Sequence, residues 1–170
     1  MNGFETLWIE KLAVEEANME QSGTVDISSH INPTHFLEES SIHLMEDIRE
    51  LFEISLAKFN THRLINGTSK AIKIFKISNT VNDFMLFRNS LKLVVARKSA
   101  DVIGIGFVSH SGGLYSARLS SENQPSKKVH ELKAHIGPFN EISWQFKGEV
   151  VNLQALVKHY LTEFIKISMR

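Results

Sequence analysis

The chain has 170 residues, 42% of them hydrophobic and 22% charged, and its 19 basic and 19 acidic residues leave no net charge when histidine is neutral. That length favours one domain and is enough to bury a real core. It contains no cysteine, which excludes disulfides, thiolate metal centres and cysteine nucleophiles.

The zero balance conceals an asymmetry. Residues 1–53 hold twelve acidic and two basic side chains, a net −10, and residues 54–170 hold seven acidic and seventeen basic ones, a net +10. Such a split fits either neutralisation within one molecule or a contact between oppositely charged surfaces. Absence of cysteine fits a reducing compartment. The opening MNGFETLWIEKLAVEE lacks the basic start and unbroken apolar core of a signal peptide. The longest apolar runs fall short of the about 18–20 residues needed to span a bilayer. A cytoplasmic protein without a membrane partner is the expectation.

Phe4 to about Met19 reads as an acidic helix, with Phe4, Leu7, Trp8 and Leu12 on one face. EQSGTVDISSHIN carries helix breakers and capping residues and reads as a linker. Residues 1–30 are therefore expected to form an acidic helix plus linker, and 31–170 a single α+β domain. The first helix suits docking on its own domain or on a neighbouring copy, as in helix exchange. A longer helix should begin at Asn32 and Pro33, an N-cap followed by a residue whose missing N–H costs nothing there. Leu44, Met45, Ile48, Leu51, Phe52, Leu56 and Phe59 follow 3.6-residue spacing. This helix should end near Thr61-His62-Arg63, with Asn66-Gly67 as the turn beyond it.

Ala71–Ile77 has strand composition. Thr80-Val81-Asn82-Asp83 has capping-box form, which predicts a short helix carrying Val81, Phe84, Met85 and Arg88 on one face; a strand through FMLF is the competing reading. From Leu91 to Leu119 three strands follow with very short connections, LKLVVARK, DVIGIGFVSH and GLYSARL. Strands so close in sequence must pair antiparallel. Ser120–Lys128 is the most loop-like stretch. VHELKAH and EISWQFK complete the meander, the latter with Ile142, Trp144 and Phe146 on one face. A last helix should start at the cap Asn152 and bury Leu153, Leu156, Val157, Tyr160, Leu161, Phe164 and Ile167. The sum is an α+β fold: an antiparallel meander of about five to six strands, with N-terminal helices and a long C-terminal helix packed on one face. A terminal helix across a curved sheet resembles the helix-grip architecture, which implies a ligand held between helix and sheet. Architecture alone does not establish function.

Chemistry is sparse. No histidine pair has metal-ligand spacing, and His130 and His135 fall on opposite strand faces because their separation is odd. No nucleophile elbow or phosphate loop is present; Gly104-Ile105-Gly106 sits in a hairpin, where strand curvature explains it. No catalytic residue, metal ligand or cofactor is assigned. Arg88, Trp144, Tyr160, Gly104 and Gly106 are the candidates for lining a pocket between the sheet and the last helix. Lys92, Arg97, Lys98, Arg118, Lys127 and Lys128 are the candidates for binding anions. Charge alone would admit nucleic acid, but the exposed aromatics or recognition helix that normally accompany it are missing. The leading expectation is a non-enzymatic interaction or assembly module that self-associates or binds a protein partner. The alternative is a small-ligand domain, with or without enzymatic activity.

Overall fold

A computed structural model describes residues 6–25, 33–66, 70–109 and 129–169. It divides into two compact units, Met1–Pro33 and Thr34–Arg170. The expected strand GLYSARL, its Ser111-Gly112-Gly113 turn and the loop 120–128 lie outside the described residues, as does Asn32.

The first unit contains helix α1, Leu7–Ser22. It ends where Gly23 takes a left-handed conformation (φ 68°) and returns its N–H to the carbonyl of Met19, a closure glycine allows without a Cβ penalty. None of the residues of α1 is buried, and Leu7, Trp8 and Ile9 are about half exposed.

The second unit begins with α2, Pro33–Asn66, which runs past the expected end at Arg63 by about one turn. Asn60 ties the C-terminal part of this helix down. Its side-chain amide accepts from the backbone N–H of Ile72 and donates to the carbonyl of the same residue, each at 3.0 Å. The last turns of α2 are thus fastened to the chain just before the first strand. Leu44, Met45, Ile48, Phe52 and Leu56 are buried, and Leu51 and Phe59 pack at the margin.

Seven strands follow among the described residues: β1 Lys73–Lys76, β2 Phe84–Arg88, β3 Leu91–Ser99, β4 Val102–Ser109, β5 His130–Ile136, β6 Ile142–Phe146 and β7 Glu149–Val150. They pair in sequence order, every pair antiparallel. Helix α3, Leu153–Ser168, closes the chain, with the Asn152 side chain accepting from the N–H of Ala155 at 3.0 Å. This is the expected α+β meander, with slightly more strands than expected.

The short helix expected at Thr80–Asn89 is instead β2. Phe84, Leu86 and Arg88 are buried on one face and alternate with Met85 and Phe87 on the other. Asp83 does not cap a helix: its carboxylate accepts the backbone N–H of Arg97 at 2.9 Å. Asn79 and Asn82 hold positive φ angles and turn the chain into the strand. Asn89 and Ser90, also at positive φ, make the two-residue turn to β3, a backbone twist that suits a hairpin. Lys147 and Gly148 do the same between β6 and β7, which adds the small edge strand that the sequence pattern did not announce.

Register fixes two faces. Leu86 opposes Leu93, Val95 opposes Ile105 and Ile103 opposes Leu132, so these share the inner face. That face, α2 and α3 enclose one core in which Phe52, Phe84, Phe164, Leu93, Ile103 and Ile105 have essentially no solvent exposure. Phe52 of α2 meets Phe84 of β2 edge to face at 6.0 Å. Leu156, Val157, Tyr160, Leu161 and Phe164 of α3 complete the core, while Ile167, expected inside, is 46% exposed. Each large apolar side chain so buried stabilises the fold by roughly 1.5–3 kcal/mol.

Candidate functional site

Where α3 begins, it leaves a cavity against β5, β6 and β7. The volume is about 280 Å³, with walls from Leu132, Phe146, Val150, Val151 and Leu156 and polar groups from His130, Glu149, Asn152, His159 and Tyr160. Strand alternation turns His130 inward together with Leu132, and helical spacing from Leu156 brings Tyr160 to the same face one turn later. The Tyr160 hydroxyl and Nδ1 of His130 are hydrogen-bonded to each other. Their rings stand 5.9 Å apart, and His130 also lies 5.2 Å from Phe146. Phe107 backs Tyr160 at 6.1 Å. Burial pushes the Tyr160 phenol up to about 12, with the Glu163 carboxylate adding to the effect. The phenol is thus neutral throughout the physiological range. His159 and Glu163 face each other at 3.9 Å on the exposed side of α3.

The structure separates the other proposed pocket residues. Trp144 is buried on the inner face and donates its indole N–H to the Ser40 hydroxyl of α2 at 3.0 Å. It is not among the residues lining the cavity beside Tyr160. Gly104 and Gly106 oppose Ala96 and Val94, and so lie on the outer face, with the sheet between them and Tyr160. A Cβ at Gly104 would come within 2.9 Å of Cε of Lys98, so here the missing side chain makes room for a lysine stem lying across the strand. Arg88 is 5% exposed and holds its guanidinium over the Phe59 ring at 5.6 Å. Burial lowers its pKa, and the positive charge of Arg63 contributes in the same direction. Next to it in sequence, Asn89 donates to the carbonyl of Ser168 at 2.8 Å, tying the β2–β3 turn to the far end of α3.

The anion-binding candidates also divide. Lys92 and Lys98 are on the outer face. Arg97 points inward, where it donates to the Ser41 hydroxyl at 3.1 Å and meets the Glu38 carboxylate at 3.6 Å. It anchors the start of α2 to β3. Lys98 hydrogen-bonds Glu131 across β4 at 2.8 Å, and that bond and charge hold the Glu131 carboxyl below the usual carboxylate range. Arg118, Lys127 and Lys128 lie outside the described residues.

On the outer face, Lys73, Phe87, Lys92 and Val108 are successive register partners across β1–β4. Phe75, Met85, Val94 and Gly106 form the next row. Among the described residues no three of histidine, aspartate and glutamate come together as a metal site. No helix among them is long and apolar enough to cross a membrane. No family model, curated protein or solved structure matches this chain.

His130 is the cavity-lining side chain that the sequence candidates leave out. Its signal was its parity with Leu132, which places it on the core face and opposite the apolar stripe of α3.

Proposed function

We propose that this protein is a non-enzymatic protein-interaction or assembly module that self-associates in the cytoplasm. In this reading the acidic helical region of one copy docks on the basic sheet region of another. The observation that carries it is α1. A helix of 16 residues with Leu7, Trp8, Ile9, Leu12 and Val14 between 39% and 61% exposed is marginal by itself in water. Covering the face that carries Leu7, Trp8 and Leu12 supplies the stabilisation that helix propensity does not. Trp is also among the residues that dominate binding energy at interfaces.

A second copy is the favoured partner because the chain carries both halves of the charge complement, −10 over residues 1–53 and +10 over 54–170. The acids of α1 are Glu10, Glu15, Glu16 and Glu20, and the outer sheet face offers Lys73, Lys92 and Lys133 beside apolar Phe75, Met85 and Val94. Opposite charge selects orientation and speeds encounter, and the apolar stripe supplies most of the affinity.

Light scattering on the full chain and on a chain lacking residues 1–25 tests this. The full chain is expected above the monomer mass of 19.3 kDa. The shortened chain should be a folded monomer. A monomeric full chain, or an assembly indifferent to the deletion, removes self-association through α1.

A further inference from the structure

The proposed assembly does not draw on the cavity at the start of α3, whose chemistry points elsewhere. Apolar residues form most of its walls, and the His130–Tyr160 pair is its polar feature on the core side. Pockets of this kind hold ligands by apolar burial and orient them with a few placed polar groups. We propose that it binds a small neutral molecule with an apolar body about the size of one aromatic ring and a single hydroxyl, of the phenol or benzyl alcohol class.

Size sets the body. An apolar cavity of about 150 Å³ is enough to hold benzene, and the volume here, about 280 Å³, leaves room for a ring with one or two substituents. The rings of His130, Phe146 and Tyr160 offer edges and faces suited to a second ring.

Hydrogen-bond capacity sets the head. A tyrosine hydroxyl has one proton to give and two lone pairs. If it donates to Nδ1 of His130, it can still accept; if Nδ1–H donates to it, it can still give its proton away. A ligand hydroxyl serves in both arrangements, because it donates and accepts. A carbonyl serves in the second alone.

Charge sets the neutrality. A carboxylate head would enter beside the Glu149 carboxylate at the rim, where the one neighbouring imidazole of α3, His159, already faces Glu163 at 3.9 Å. A buried ammonium would have to surrender its hydration for a neutral phenol and a solvated Glu149.

The test is an NMR titration of the full chain with four matched probes: p-cresol, toluene, p-toluate and 4-methylbenzylammonium. The methyl signals of Leu132, Leu156 and Val151 report occupancy. p-Cresol should shift them saturably with a dissociation constant on the order of 1 mM, the range open to so small a ligand. Both charged probes should bind at least roughly tenfold more weakly, as expected when an ion loses its hydration without a partner. Tyr160→Phe should weaken p-cresol by roughly fivefold to tenfold, the effect of one lost hydrogen bond, while leaving toluene unchanged. Glu149→Trp at the exposed rim, where Glu149 opposes Phe146 on the inner face, fills the mouth without touching the core, and should abolish binding of p-cresol. Absence of a saturable shift with p-cresol overturns the proposal. So does equal binding of p-toluate, or a Tyr160→Phe protein that binds p-cresol as tightly as the parent. These outcomes are independent of oligomeric state, so the cavity and the assembly stand or fall separately.

Discussion

Phe164 gives the sharpest test of how α3 holds the domain together. Its side chain has no solvent exposure, and α2, α3 and the inner sheet face share its core. Truncation to alanine removes the transfer free energy of a phenyl ring and leaves a closed void, for which roughly 3–5 kcal/mol is expected. Leu156 sits on the same helix and is nearly as buried, at 9%, but it lines the open cavity. Water can enter the space that Leu156→Ala leaves, so no closed void forms and the cost should fall at the low end of the buried-leucine range, about 2 kcal/mol. A domain of this size has about 5–15 kcal/mol in all. Phe164→Ala should therefore survive as a folded but strongly weakened protein, and Phe164→Asp, which buries a carboxylate without a partner, should not fold. Urea unfolding followed by far-ultraviolet circular dichroism measures both alanine variants. The Phe164→Ala midpoint should lie clearly below that of Leu156→Ala, with the slope unchanged. Equal midpoints, or a soluble and folded Phe164→Asp protein, would refute the view that α3 closes this core.

Three further outcomes follow from individual residues. Tyr160 is neutral in the folded chain to about pH 12, whereas in the unfolded chain it ionises near 10. The unfolded state therefore releases its proton first. The contribution of Tyr160 to stability should be constant below pH 10 and fall between 10 and 12 by roughly 2–3 kcal/mol, a loss that Tyr160→Phe should remove from denaturation measured against pH. Phe139 is fully exposed and holds φ at 58°, where a Cβ is costly; Phe139→Gly should raise the unfolding free energy by about 1 kcal/mol, and a loss would show that the ring is making contacts. Replacing Leu7, Trp8 and Leu12 together by serine should weaken association roughly 100-fold in sedimentation velocity, counting about 1 kcal/mol for each half-exposed side chain. Its melting temperature at monomeric dilution should not move, because α1 buries none of its residues.

Much of the architecture was legible because it follows from periodicity. The apolar spacing along α2 and α3 specified their buried faces, and the alternation of Ile142, Trp144 and Phe146 specified β6. Short range misled at β2, where Val81, Phe84, Met85 and Arg88 satisfy helical spacing as well as Phe84, Leu86 and Arg88 satisfy a strand. Pairing on both sides, with β1 and β3, settles what the run alone leaves balanced. The same parity rule contained more than was first drawn from it. Arg97 follows Val95 by two residues and so turns toward the core, away from Lys92 and Lys98. Gly104 and Gly106 alternate with Ile103 and Ile105 and so lie across the sheet from Tyr160. What parity does not supply is distance along the helix axis: Tyr160 meets His130 and not Trp144 because β5 and α3 cross where they do, a consequence of tertiary packing.

The most direct measurement of the central claim is the molar mass in solution as a function of salt, by sedimentation equilibrium on the full chain. Association guided by an acidic helical region and a basic sheet region is screened as the Debye length falls from about 10 Å at 0.1 M salt to about 3 Å at 1 M. The account predicts a mass above 19.3 kDa that is highest at low salt and falls only in part as salt rises, because the apolar contact of α1 persists when charge is screened. A mass of 19.3 kDa at every salt concentration would contradict it.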